Sequence, residues 1–171
     1  RKSFLKHYIS AWVRDQDEFA DTDFLSLYDQ TYTDQVGVVR STYDQWIDGM
    51  KGHFFEKTGL TKDDFTLANK AKLDKRYYNS ALCDTLNELR QAVEAMYHNL
   101  NTLQSRSGDQ LPFTSINYGT CTLEEGRLVT RALLLGSLEG IGFHHNTPIF
   151  PCGIFQYMKG VNDKPGTPNY D

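Results

Sequence analysis

Two stretches decide the fold: Leu111-Pro-Phe-Thr-Ser-Ile-Asn-Tyr-Gly-Thr-Cys-Thr-Leu-Glu-Glu-Gly-Arg-Leu-Val-Thr-Arg131 and Thr147-Pro-Ile-Phe-Pro-Cys-Gly-Ile-Phe-Gln-Tyr157. In the first, Phe113 to Tyr118 is short, rich in β-formers and closed by Gly119, which predicts a strand. Thr122-Leu-Glu-Glu125 has the pattern of a capping box and opens a helix to about Glu139, closed by Gly140 and Gly142. In the second, Ile149-Phe150 and Ile154-Phe155 flank Pro151 and Gly153, predicting a strand with an irregularity, because proline cannot donate to a ladder. Strand, helix and strand in this order form a βαβ unit with parallel strands and a right-handed crossover. A parallel sheet is normally buried on both faces, so further strands are expected from chain beyond these residues.

Upstream, Leu82, Leu86, Leu89, Val93, Met96, Tyr97, Leu100 and Leu103 recur at spacings of three and four and predict a long amphipathic helix ending at Ser107-Gly108. The opposite face, with Arg90, Glu94, His98 and Asn101, is either solvated or meets a partner. Phe4, Leu5, Tyr8, Ile9, Trp12 and Val13 fall on one helical stripe at the start. The region from Asp15 to Lys75 has the weakest periodicity and reads as short helices and loops. Within it, Ser41, Tyr43, Trp46, Ile47 and Met50 outline a helix weakened by Gly49 and Gly52. The helical start without an initiator Met, and the turn Lys164-Pro-Gly-Thr-Pro-Asn-Tyr-Asp171, lead us to expect a piece of a longer protein.

The 171 residues allow one ordinary domain, and 39% hydrophobic with 23% charged residues lies near the globular average. A net charge of -4 argues against a broad nucleic-acid footprint, so no direct DNA binding is expected. No apolar run is long enough to span a membrane, and the first residues lack a signal-peptide core. Cys83, Cys121 and Cys152 are odd in number and show no metal-ligand spacing, which fits reduced thiols and a cytoplasmic location.

The 111–131 stretch closely resembles a strand and following helix of the anaerobic (class III) ribonucleotide reductases, which are glycyl-radical enzymes. So do Thr147 to Asn162, Pro168-Asn-Tyr-Asp171, Ala92-Val-Glu-Ala-Met-Tyr-His-Asn-Leu-Asn-Thr-Leu-Gln-Ser-Arg-Ser-Gly108 and Arg1-Lys-Ser-Phe-Leu-Lys-His7. The resemblance implies an α/β fold: a fragment of a ten-stranded α/β barrel, two parallel strands joined by a helix and preceded by helical segments. It divides the chain into a helical region of the effector and dimer-interface type (1–108) and a βαβ part of the catalytic barrel (109–171). It further implies conversion of ribonucleoside triphosphates to deoxyribonucleoside triphosphates by glycyl and thiyl radical chemistry. Formate as reductant, a C-terminal zinc site, dNTP and ATP effectors, a homodimer and a radical-SAM activating enzyme come with that family. The radical-bearing cysteine and glycine of the family match no residue here, so the fragment is expected to be inactive alone.

The resemblance places Lys6 and Asn99 in the effector region, Lys6 as the phosphate contact, since a compact ammonium neutralises phosphate well, and Asn99 as a hydrogen-bonding partner; the alternative is a solvated helix lysine and a surface amide. The small polar pair Ser115 and Asn117 alternates with Ile116 and Tyr118 and is a candidate lining of the barrel lumen. Tyr118 is read as packing or cavity lining. Cys121 and Cys152 are expected to be ordinary, partly buried thiols. The adjacent His144 and His145 are read as loop residues, because neighbouring histidines point apart and lack a third ligand. Two other readings stay open: a non-catalytic helical dimerisation module whose Leu82 to Leu103 stripe is an interface, and a fragment of another glycyl-radical enzyme.

Overall fold

A computed structural model describes residues 1–102 and 113–170. The expected helix stop at Ser107-Gly108 and the 108/109 boundary lie outside the described residues. The chain is α/β, mostly helical with two small sheets, and forms two compact units, Arg1–Thr85 and Leu86–Asp171.

The first unit is built on α1 (Lys2–Arg14) and α3 (Thr42–Thr58). Phe4, Leu5, Tyr8, Ile9, Trp12 and Val13 are all buried, as the stripe requires, and they meet Tyr43, Ile47, Phe54, Phe65 and Leu73. The core is largely aromatic. Phe54 is fully buried, with its ring 5.1 Å from Trp12, 5.9 Å from Tyr8 and 5.9 Å from Phe65 between centroids, inside the range where tilted aromatic pairs attract. Ser41 caps α3 through Asp44 N, and Gly59 ends it in the left-handed conformation at φ 68°, where a side chain would be strained. Gly49 and Gly52 do not interrupt α3.

Between α1 and α3, the short helix α2 (Phe24–Asp29) is capped by Asp23, which accepts from Ser26 N at 3.2 Å. A hairpin follows that the sequence did not lead us to expect: β1 (Thr31–Thr33) pairs antiparallel with β2 (Val39–Ser41). Its turn is organised by the Asp34 carboxylate, which accepts from Val36 N, Val38 N and Arg40 Nε at 2.8–3.0 Å. Those contacts, Arg40 first, lower the Asp34 pKa.

Two phenols of this unit resist ionisation. Burial, and then the stacked Tyr43 ring 4.1 Å away, push Tyr28 up to about 12 against the pull of Arg14. Burial, and then the hydrogen bond Tyr77 donates to Asp15, raise Tyr77 to about 12. The fold favours the neutral phenol, so this contribution is complete below pH 10.0 and disappears as pH rises through about 12. Alkaline titration followed by phenolate absorbance should show late-ionising tyrosines, and Tyr28→Phe and Tyr77→Phe should each remove one of them.

The helix α4 (Lys75–Thr102) carries the long apolar stripe and begins before its first leucine. In the second unit it packs on α5 (Glu124–Glu139), and the parallel strands β3 (Ser115–Tyr118) and β4 (Cys152–Phe155) lie beside them. The expected βαβ unit is present. Its helix ends at Glu139 with Gly140, as read, but starts on Leu123 as N-cap, a residue that makes no side-chain cap bond, instead of on Thr122. The capping box therefore does not define the start. β4 is shorter than the expected 147–157 because Pro151 has no N–H and the amides of Ile149 and Phe150 are bonded to a side chain of α4.

Candidate functional site

The register of the parallel pair sets which side chains share a face. Ser115 lies beside Cys152 and Asn117 beside Ile154, while Ile116 lies beside Gly153 and Tyr118 beside Phe155. Ile116, Tyr118 and Gly153 face a small cavity completed by Tyr97 of α4 and by Thr130, Leu133, Leu134 and Ser137 of α5. That leaves Ser115, Asn117, Cys152 and Ile154 on the opposite, exposed face of the pair. The two candidate lining residues are thus neighbours on one open face. Cys152 joins them there, and with Cys121 it is exposed, which corrects the expectation of partly buried thiols. The reason is positional: Cys152 takes its face from the register of β4, and Cys121 sits in the link after β3.

A polar clasp closes the carboxyl ends of the two strands. Gly119 has φ 114°, and a Cβ there would stand 2.8 Å from the Phe155 ring, so this position requires glycine. Its carbonyl accepts from the side-chain amides of both Asn162 and Asn169, each at 3.0 Å. Asn162 also donates to Gln156 O at 2.8 Å and accepts from Met158 N at 2.8 Å; Asn169 donates to Cys121 O at 2.8 Å. Arg127 of α5 donates to Pro168 O. Asn162 and Asn169 lie in stretches singled out by sequence, yet neither was read as structural, because a side-chain amide shows its partners only once the chain is folded.

Helix α4 is tied to this unit at three levels. Val93 packs where Gly136 leaves no side chain on α5, Tyr97 donates to Leu133 O at 3.0 Å, and Asn101 reaches the backbone leading into β4. Burial raises the Tyr97 pKa, the nearby Tyr118 adds to this, and Ser137 opposes it. A cavity of about 470 Å³ between α4 and α5 is lined by Leu86, Val93, Tyr97, Leu128 and Leu135, with Arg90 and Glu139 3.5 Å apart beside it. The predicted stripe is therefore used inside the chain at Leu82, Val93 and Tyr97, which favours core over interface for those positions.

The remaining candidates are placed as follows. Lys6, on α1, holds its ammonium 2.5 Å from Asp44 Oδ1 and is 31% exposed in its side chain. Asn99, on α4, is exposed. His145 Nδ1 lies 2.8 Å from Glu139 O, in the link after α5. Tyr118 packs edge-on against Phe155 at 5.8 Å, as a packing residue. Among the described residues no three of His, Cys, Asp and Glu form a metal site, and no helix is long and apolar enough to cross a membrane.

Comparison with known proteins agrees with this arrangement. A family described as anaerobic ribonucleoside-triphosphate reductase matches residues 7–171. The chain is 36% identical over 98 residues to the anaerobic ribonucleoside-triphosphate reductase of Haemophilus influenzae, covering 57% of this chain and 13% of the relative. It is 34% identical over 87 residues to that of Escherichia coli, covering 51% and 12%, and 37% identical over 93 residues to that of Enterobacteria phage T4, covering 54% and 15%. The matched stretch thus spans a small part of each relative's length. With nearly the whole chain inside the family match and the parallel strand pair in place, this chain belongs to the anaerobic ribonucleoside-triphosphate reductase family.

Proposed function

We propose that this chain is part of the catalytic subunit of an anaerobic ribonucleoside-triphosphate reductase, a cytoplasmic, homodimeric oxidoreductase that makes deoxyribonucleoside triphosphates. The observation that carries this reading is the parallel β3–α5–β4 unit with one polar, open face, found in a chain of this family. In this proposal β3 and β4 are two strands of a ten-stranded α/β barrel, residues 109–171 contribute to its catalytic part, and residues 1–108 form the effector and dimer-interface region. Ser115 and Asn117 line the lumen, where a hydroxyl and an amide offer both donors and acceptors to a ribonucleoside triphosphate.

The radical chemistry of the family uses a glycyl radical, generated by a radical-SAM activating enzyme, with formate as reductant, and no residue of this chain is assigned a catalytic role in it. No residue here is assigned to the zinc site. The chain's own contribution is to shape and position. Asn99 in the second unit is proposed as a hydrogen-bonding contact to a dNTP or ATP effector, and Lys6 in the first unit is proposed, separately, as a phosphate contact. The Lys6 ammonium, a group with three donors, stands 2.5 Å from Asp44 Oδ1, which holds it in place.

The test is Lys6→Ala in the full-length protein. Effector binding, measured by calorimetry, should weaken about tenfold or more, equivalent to about 1.4 kcal/mol, while turnover without effector is retained. Unchanged effector affinity in a folded variant would remove Lys6 from the site. Absence of ribonucleotide reduction by the activated wild-type protein would overturn the function itself.

A further inference from the structure

We infer that Asn101 is the positioning residue through which a nucleotide effector on α4 controls the strand β4, an inference that rests on the effector reading above. A single side chain makes four hydrogen bonds here. Asn101 Oδ1 accepts from Ile149 N at 2.8 Å and from Phe150 N at 3.0 Å; its Nδ2 donates to Phe150 O at 2.6 Å and to Tyr97 O at 2.7 Å. Both ends of the amide are in use, so its orientation is fixed. The three backbone groups it holds outside α4 belong to the two residues before Pro151, immediately ahead of β4.

The grip differs in kind from the other two tethers of α4. Val93 and Tyr97 touch α5, whereas Asn101 takes over backbone groups that would otherwise pair in a ladder. Ile149 and Phe150 therefore follow α4. Two residues beyond Phe150, Cys152 pairs with Ser115 and opens the shared face that also carries Asn117 and Ile154. Two residues before Asn101, Asn99 is exposed on the same helical turn. A helix moves as a unit over such a distance, so a shift of α4 by a ligand at Asn99 is passed to Ile149 and Phe150 at hydrogen-bond precision. The polar alternative, that Asn101 sits on a solvated face, is excluded by its partners.

The experiment uses the full-length, activated reductase, with ATP and each deoxynucleoside triphosphate as the effector probes. Asn101→Ala removes the whole grip. Asn101→Asp keeps the two acceptor contacts to Ile149 and Phe150 N–H but sets a carboxylate oxygen against the carbonyls of Phe150 and Tyr97. Turnover with and without effector and effector affinity are measured for each. The ratio of stimulated to unstimulated turnover should fall about fivefold or more in Asn101→Ala and by an intermediate amount in Asn101→Asp, with effector affinity within about twofold of wild type. A merely structural residue would lower both turnover values together and leave their ratio intact, which overturns the inference. If Asn101→Ala does not fold, the ratio in Asn101→Asp decides in the same way. A wild-type protein that shows no effector response removes the effector reading and this inference with it; a responding wild type with unaltered variants removes this inference alone.

Discussion

Replacing Phe54 with alanine should remove a large part of the stability of the first unit. Phe54 is fully buried, and its ring meets those of Tyr8, Trp12, Phe55 and Phe65, so truncation removes contacts from α1, α3 and the segment after α3 at once. A buried Phe→Ala change costs about 3–5 kcal/mol, the lost transfer energy plus the cavity left behind. The whole stability of a small domain is about 5–15 kcal/mol and tends to the lower end in short units. Chemical denaturation followed by near-ultraviolet circular dichroism measures the loss. Phe54→Leu, which retains part of the volume, should cost clearly less; equal losses would show that the ring cluster is not what holds α1 on α3.

The second large effect tests the junction of α4 and α5. A Cβ at Gly136 would stand 2.6 Å from Val93 Cγ1, well inside van der Waals contact, and valine is too stiff at χ1 to swing away freely. Two effects of opposite sign compete. Alanine gains about 1 kcal/mol over glycine in a helix interior, whereas overpacking costs about 1–3 kcal/mol. We expect the clash to win, so Gly136→Ala should lower stability, and Val93→Ala added to it should restore part of the loss as a coupling in a double-mutant cycle. Gly49 and Gly52 provide the control. A Cβ at either would meet nothing within 4 Å, so Gly49→Ala and Gly52→Ala should stabilise α3 by about 0.5–1 kcal/mol. Destabilisation at all three positions would mean that the helix backbone, not the packing, sets the result.

These cases mark where the sequence was legible. The α1 stripe was readable because six apolar residues at helical spacing have one way to be buried together, and all six are. The parallel pair was readable because a strand, a closed helix and a second strand leave few topologies. The 31–41 hairpin was missed, although Thr31-Tyr-Thr33 and Val39-Arg-Ser41 flank Gly37, because three-residue strands carry almost no periodicity and the deciding group is the Asp34 carboxylate. For the candidate site, the neighbouring Ser115 and Asn117 followed from alternation alone. Asn101 did not: at sequence level it was one more polar residue opposite the stripe, and its role depends on Ile149 and Phe150, nearly fifty positions away. Asn162 and Asn169 were hidden for the same reason. Lys6 was chosen through the family resemblance of its helix and for its charge, and the contact with Asp44 depends on how α1 meets α3.

The β3–β4 pair has one further consequence. Among the described residues it is a two-stranded ribbon, and each strand has an outer edge with backbone donors and acceptors pointing outward. Its open face supplies no lysine, glutamate or aspartate to discourage a stranger, and Ile154 and Phe155 are both about half exposed. Unpaired edges of this kind are a template with which another extended segment can pair. Where such edges stay unpaired, pairing between copies competes with correct folding, and more so as protein concentration rises.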